Sequence, residues 1–236
     1  MAPVPLHTPT GRPHAHPCMM GSMTHLARSE RDAFCDTLLA VGPGAPTLCS
    51  PWSAADLAAH VVVRDRRPDL APGIWLPPLA HRLEEGQAAY AAKPFPELVD
   101  LVRSGPPPWS PVRLAPVDDL VNLVELFIHH EDVLRGDEQP GPRRVLSDRE
   151  SRALWASLSR LAKLFFRRSP VGVVLRTPDG RTIHARSTTE LGTVVLEGRP
   201  EELLLTAYGR RRVADIEVTG GQEPVAALWA APLGLA

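Results

Sequence analysis

The chain is poor in cysteine, lysine and aromatic side chains, and neither sign of charge is in excess. Its three cysteines, Cys18, Cys35 and Cys49, form no C-x-x-C pair and are too few for a disulfide framework, so a reducing cytoplasm is the expected setting. With 26 basic and 27 acidic residues the formal net charge is -1, which argues against nucleic-acid binding driven by whole-domain charge. No run approaches the roughly 18–20 uninterrupted apolar residues of a membrane span, so no membrane partner is expected. Lys93 and Lys163 are the only lysines among the 26 basic residues. That arginine bias, with many alanines and prolines, reads as the codon usage of a GC-rich bacterial genome and carries no information about fold.

What is present suits a soluble globular protein. Hydrophobic residues make up 44% and charged residues 22% of the 236 positions, enough for a core that needs neither metal nor disulfide to fold. That length suits one large domain or two small ones. Proline, at 26, predicts many breaks between elements.

Residues 1–22 hold Pro3, Pro5, Pro9, Pro13 and Pro17, no apolar periodicity and a single charged side chain, Arg12. Such a segment buries too little surface to offset its ordering entropy and reads as a disordered tail. Met23 is then a plausible start of the folded chain. Over 24–41, Leu26, Phe34, Leu38, Leu39 and Val41 recur at near-helical spacing and Gly42-Pro43 stops the run. Ser53 and Asp56 form an acidic capping box for a second helix running to about Arg67. Further helices are expected over Leu79–Ala92, Pro96–Arg103 and Val117–Arg135, with the stiff Gly105–Pro108 link between the last two. Helices with short connections suggest an antiparallel bundle over 23–136. Gly136–Pro142 reads as a linker. From 143 the pattern changes. A helix capped by Ser147 runs to about Phe166. Strands are expected at Val171–Arg176, Thr182–Arg186, Gly192–Leu196 and Val213–Val218, the first two flanking the turn Pro178-Asp179-Gly180. Helices are expected at Glu201–Tyr208 and Pro224–Ala231. The expected class is α+β in two domains, the second (143–236) with a mostly antiparallel sheet.

The segment from Val121 to Asp132 carries the chemistry. Glu125, His129 and Asp132 fall at i, i+4 and i+7 and share one helix face, while His130 points away from it. A carboxylate and an imidazole one turn apart can hold the same cation, with the later acid orienting the imidazole. Two ligands are too few for a zinc site, and His60, among small alanines on the second helix, is the candidate third. The plain alternative is a surface Glu–His pair beside a satisfied core histidine. An H-E-x-x-H protease motif is absent.

The stretch Thr47-Leu48-Cys49-Ser50-Pro51-Trp52-Ser53, with Asp56-Leu57-Ala58-Ala59-His60 behind it, resembles the second-helix motif of the mycothiol-dependent maleylpyruvate isomerase family. The E-x-x-x-H-x-x-D helix of that family is matched by Glu125, His129 and Asp132, and the region from Gly172 to about Leu233 is similar to its sterol-carrier-like C-terminal domain. Arg64–Asp69, Ser104–Pro107 and Trp109-Ser110-Pro111 point to an uncharacterised metal-binding branch. The resemblance implies a DinB-like antiparallel four-helix bundle followed by a small α/β sterol-carrier-like domain. It implies His60, Glu125 and His129 as ligands of a divalent metal, zinc by preference, with Asp132 orienting a ligand. It also implies mycothiol as a co-substrate thiol and a small acidic substrate, in a monomer or homodimer. Arg64, Arg210 and Arg211 are candidate anion anchors, and Cys49 packs near the site. The plain alternatives are an Arg64–Asp69 surface pair and a solvated Arg210–Arg212 loop. Three functions stay open: a thiol-dependent isomerase or transferase acting on an electrophile, a metal-binding module without turnover that also binds a small ligand, and metal-assisted hydrolysis.

Overall fold

The computed structural model describes residues 26–74, 76–137 and 143–234. The expected tail 1–22 and most of the expected linker 136–142 lie outside them.

The first half is helical: α1 (Leu26–Val41), α2 (Ala54–Arg66), α3 (Pro77–Ala91), α4 (Phe95–Ser104) and α5 (Ala115–Leu134). Two short 3-10 turns, Ala71–Ile74 and Pro111–Arg113, were not legible in the apolar pattern. In α1, Ala27, Phe34, Cys35 and Leu38 fall on one stripe and are fully buried. The α2 start is fixed as its sequence demands. Ser53 accepts from the Asp56 backbone N–H, and the Asp56 carboxylate accepts from that of Ser53 at 2.9 Å. Pro77 and Pro78 open α3 two residues earlier than expected, because a proline's missing N–H has no partner to lose in a first turn. The α1 helix packs along α5, α4 packs against α1 and α2, and α3 lies on α2. Most of the middle of α5 is covered. Leu123, Val124, Leu126, Phe127 and Ile128 are all buried.

The second half holds α6 (Asp148–Phe165), β1 (Gly172–Arg176), β2 (Thr182–Arg186), β3 (Thr193–Gly198), α7 (Pro200–Ala207), β4 (Ile216–Thr219) and α8 (Gln222–Ala230). Ser147 and Glu150 cap α6 by the same box as α2. The sheet order is β2-β1-β3-β4. The β1–β2 and β3–β4 pairs are antiparallel, and β1–β3 is parallel in the register Gly172↔Thr193 to Arg176↔Glu197. The expected α+β class with a mostly antiparallel sheet is what folds.

One strand is shorter than the pattern predicts. β4 begins at Ile216 and not at Val213. The backbone before it serves another purpose: Arg135 donates to the Val213 carbonyl at 3.0 Å, and the Asp215 N–H donates to Glu202 at 2.9 Å. These bonds belong to a buried ionic network that joins the two halves. Arg135, which caps the end of α5, meets Glu202 of α7 through two hydrogen bonds of 2.9 Å and also bonds Glu131. Arg144 bridges Glu131 at 2.7 Å and Glu30 of α1 at 2.9 and 3.1 Å.

Candidate metal centre

His60 and His129 approach from different helices. The Trp52 ring lies against His60 with centroids 5.1 Å apart, and the His60 ring meets His129 edge-on at 5.2 Å. Glu125 sits between them, its Oε1 3.1 Å from His129 Nε2 and 3.7 Å from His60 Nε2. One donor atom from each of the three lies within 4.8 Å of the other two. Ligands about 2.0–2.1 Å from a tetrahedral zinc ion stand roughly 3.3 Å apart, so two nitrogens and a carboxylate at this spacing suit a divalent cation with one position left open. His60 and Glu125 are each about one-quarter exposed, so the cluster opens to solvent on one side.

Behind His129 the chain supplies the orienting acid. Asp132, fully buried, accepts from His129 Nδ1 at 3.1 Å. That bond turns Nε2 toward Glu125 and His60. Burial alone would raise the Asp132 carboxyl, but hydrogen bonds from His129 and Arg210 bring it down to about 2. Burial likewise opposes ionisation of Glu125. Hydrogen bonding from His129 and His60, with the charges of His129 and Arg64, still holds it well below the usual carboxylate range. On His129, burial disfavours the imidazolium, but bonds to Asp132, Cys49 and Glu125 outweigh it and raise its pKa well above 6.5.

A second set of donors, Cys49, His129 and Asp132, shares the imidazole. Its cation is already in place. Arg210 Nε donates to Asp132 Oδ1 at 2.9 Å, while Nη2 reaches Asp132 Oδ2 at 2.8 Å and Cys49 Sγ at 3.1 Å. A metal ion there would sit against a guanidinium, so the His60–Glu125–His129 set is the better candidate. Cys49 does lie near the site, and its thiol bonds Asp132 at 3.1 Å.

The arginines separate on inspection. Arg64 pairs with no surface acid at Asp69, which Arg67 takes with bonds of 2.7 and 2.8 Å. Arg64 instead bonds Asn122 and the Val121 carbonyl, and its Nε stands 3.7 Å from Glu125. Arg210 is no solvated loop residue. Arg211 is turned away from the centre, stacked on Trp229 at 5.1 Å and bonded to its carbonyl. His130 points to the opposite side of α5, bonding Glu30 at 2.8 Å and Thr37 at 2.7 Å.

Two features were not read from the sequence. The Tyr208 ring packs on Phe165 at 4.7 Å, and burial followed by the Glu125 charge pushes its phenol pKa upward. A cavity of about 870 Å³, lined by Cys49, Arg135, Arg143, Arg144, Arg210 and Arg212 among others, opens between the halves. The wall of Cys49 and Arg210 against Asp132 stands between this cavity and His129. The one sequence signal for it was the run Arg210-Arg211-Arg212 after Gly209.

Comparison with known proteins agrees with this architecture. Residues 156–227 match the family model of the MDMPI C-terminal domain. A crystal structure of mycothiol-dependent maleylpyruvate isomerase superposes with a TM-score of 0.57 at 17% identity, covering 84% of this chain and 93% of that one. A histidine-to-alanine mutant of that isomerase gives a TM-score of 0.58 at the same identity and coverage. No curated protein matches the chain in sequence. Residues 156–227 are thus similar to the MDMPI C-terminal domain, and the chain shares the fold of the solved isomerase over 84% of its length.

Proposed function

We propose that the chain is a thiol-dependent isomerase or transferase acting on a small electrophilic substrate, with a divalent metal held by His60, Glu125 and His129. The observation that carries the reading is the convergence of those three donors from two helices within 4.8 Å, on the fold of an enzyme whose name includes mycothiol dependence. A divalent metal there, zinc by preference, lowers the pKa of a thiol that reaches it, so that the nucleophilic thiolate exists at neutral pH.

The residues divide the remaining work. Asp132 fixes the His129 ring by accepting from Nδ1. Arg210 holds Asp132 in turn and crosses from the second half to do so. A guanidinium has five N–H groups. Four are engaged here, by Asp132, Cys49 and the Tyr208 carbonyl. One N–H remains, so Arg210 offers a substrate carboxylate a single hydrogen bond and its main role is positioning. Arg64, about one-quarter exposed and beside Glu125, is the better-placed charge for an acidic substrate. Arg211 plays no part at the centre. Tyr208 and Trp52 give the site apolar walls that limit water.

The test uses the metal-loaded full chain and mycothiol. Calorimetric titration should show binding, and His60→Ala should abolish it with the metal. Arg210→Ala should keep the metal and weaken the thiol. If the parent binds metal and no thiol, the protein is a metal-binding module without this chemistry.

A further inference from the structure

A second cavity lies on the helical half, lined by none of the three candidate metal ligands. Its volume is about 190 Å³, and its walls are Arg28 and Arg31 of α1, Ser104, Gly105 and Pro106 at the end of α4, Arg113, and Asp118 of α5. Asp118 lies seven residues before Glu125, about two turns of α5 from the metal site.

Arg31 forms the floor. It is 1% exposed, a rare degree of burial for an arginine. Its Nη1 donates to Asp65 at 2.5 Å and to the Val102 carbonyl at 3.1 Å. Its Nη2 is buried with no hydrogen-bond partner among the described residues, and Asp118 Oδ1 stands 3.8 Å away. That carboxylate oxygen also accepts from Asn122 at 2.7 Å. A buried N–H left open is costly, and a ligand or ordered water is what normally closes it.

The surroundings favour a ligand. Gly105 has φ +64°, and a Cβ there would stand 3.3 Å from Arg31 Nε and 3.4 Å from Cζ. Its backbone therefore lies close against the guanidinium and leaves no room for a side chain to cap it. Arg113 donates an N–H to the Pro106 carbonyl and forms no ion pair with an acid among the described residues. Arg28 is held by Asp32 in a pair whose side chains are 55% and 42% exposed, which a stronger anion displaces at little cost. Three guanidinium groups thus line a small cavity whose one lining carboxylate is Asp118, with Asp65 and Asp32 pairing Arg31 and Arg28 from outside the lining.

We infer that this cavity is a binding site for a small tetrahedral oxyanion, either free phosphate or the head of a small phosphomonoester. A carboxylate has two oxygens for three arginines, while a phosphate has more acceptors and a greater charge, and the guanidinium fork fits it. The site stands independently of the thiol chemistry.

The test is thermal unfolding of the full chain in rising inorganic phosphate, against chloride at equal ionic strength and with metal chelated. The parent's melting temperature should rise and saturate with phosphate alone. The exposed pair Arg28→Ala and Arg113→Ala together should leave the phosphate-free melting temperature unchanged and weaken phosphate at least tenfold. Glycerol 3-phosphate separates the sources: tighter binding than phosphate assigns the head group, and weaker binding assigns the free ion. An equal response to chloride overturns the inference, as does a phosphate response that survives in the double variant. A response lost in His60→Ala would place the anion at the metal centre and overturn it too. So would a phosphate-soaked crystal showing only water at Arg31 Nη2.

Discussion

His129 and His130 are neighbours in sequence with opposite employments. His129 bonds Glu125 and Asp132, and His130 bonds Glu30 and Thr37. The split was legible in the sequence, since residues one apart on a helix stand about 100° from each other. Substitution should separate them. His129→Ala and His60→Ala should each empty the site of metal as read by elemental analysis, while His130→Ala keeps the metal. The His130→Ala change should instead cost about 1–3 kcal/mol in urea unfolding, because it leaves the buried Glu30 and the half-buried Thr37 short of a partner. Metal lost from His130→Ala and kept in His129→Ala would reverse the assignment. What the sequence did not show at this scale is which arginine of the 210–212 run turns inward. Three consecutive arginines look alike until the turn after α7 is built. Then Arg210 faces Asp132 and Arg211 faces Trp229.

At the scale of elements, capping and periodicity carried far. The Ser53 and Ser147 boxes are local signals and stand where the sequence places them, while of the expected α1 stripe Phe34 and Leu38 are buried and Leu39 and Val41 are exposed. Ser53→Ala should destabilise the chain by about 1 kcal/mol in denaturant unfolding. The failure at β4 has a nonlocal cause, because alternation across Val213–Val218 cannot reveal that Arg135 and Glu202 take backbone groups there. Nor could α7 be foreseen as buried along its whole length, including Glu201 and Glu202. Glu30 of α1 gives this network a pH signature. Burial would raise its carboxyl, but bonds from His130 and Arg144 bring its pKa below 4.5. A carboxylate depressed by folding contributes stability that is complete above its unfolded value and lost as pH falls through the folded one. The parent should therefore be more stable than Glu30→Gln at neutral pH, and the gap should close as pH falls below about 4.5. A gap constant from pH 7 to pH 3 would show that the carboxylate charge contributes nothing.

For the molecule as a whole, the two halves meet through charge. Arg135 links Glu131 to Glu202, and Arg144 links Glu131 to Glu30. Removing one member leaves a buried carboxylate without its counterion. Arg135→Ala should therefore cost about 3–5 kcal/mol in chemical denaturation. A loss below 1 kcal/mol would mean that water replaces the guanidinium. Paired arginines and acids far apart in sequence are invisible without the fold, which is why this joint was missed while both of the halves it connects were legible.

The Asp132–His129–Glu125 line makes cation uptake an exchange of ions. With its pKa raised by Asp132, Cys49 and Glu125 against the effect of burial, His129 holds its ring protons more tightly than a free imidazole when no metal is bound. A cation that takes Nε2 must evict one of them. Its apparent affinity should then climb by up to about tenfold per pH unit until the imidazolium titrates, and level off beyond that point. Without metal the sign reverses. The charged imidazole stabilises the fold fully below its unfolded value, and that contribution fades as pH rises through the raised folded value. Calorimetry in buffers of different ionisation enthalpy should count close to one proton released per ion bound. A count near zero would mean that the ring meets the cation already neutral. At a given external supply of metal, acidification would then empty the centre while leaving the fold around it intact.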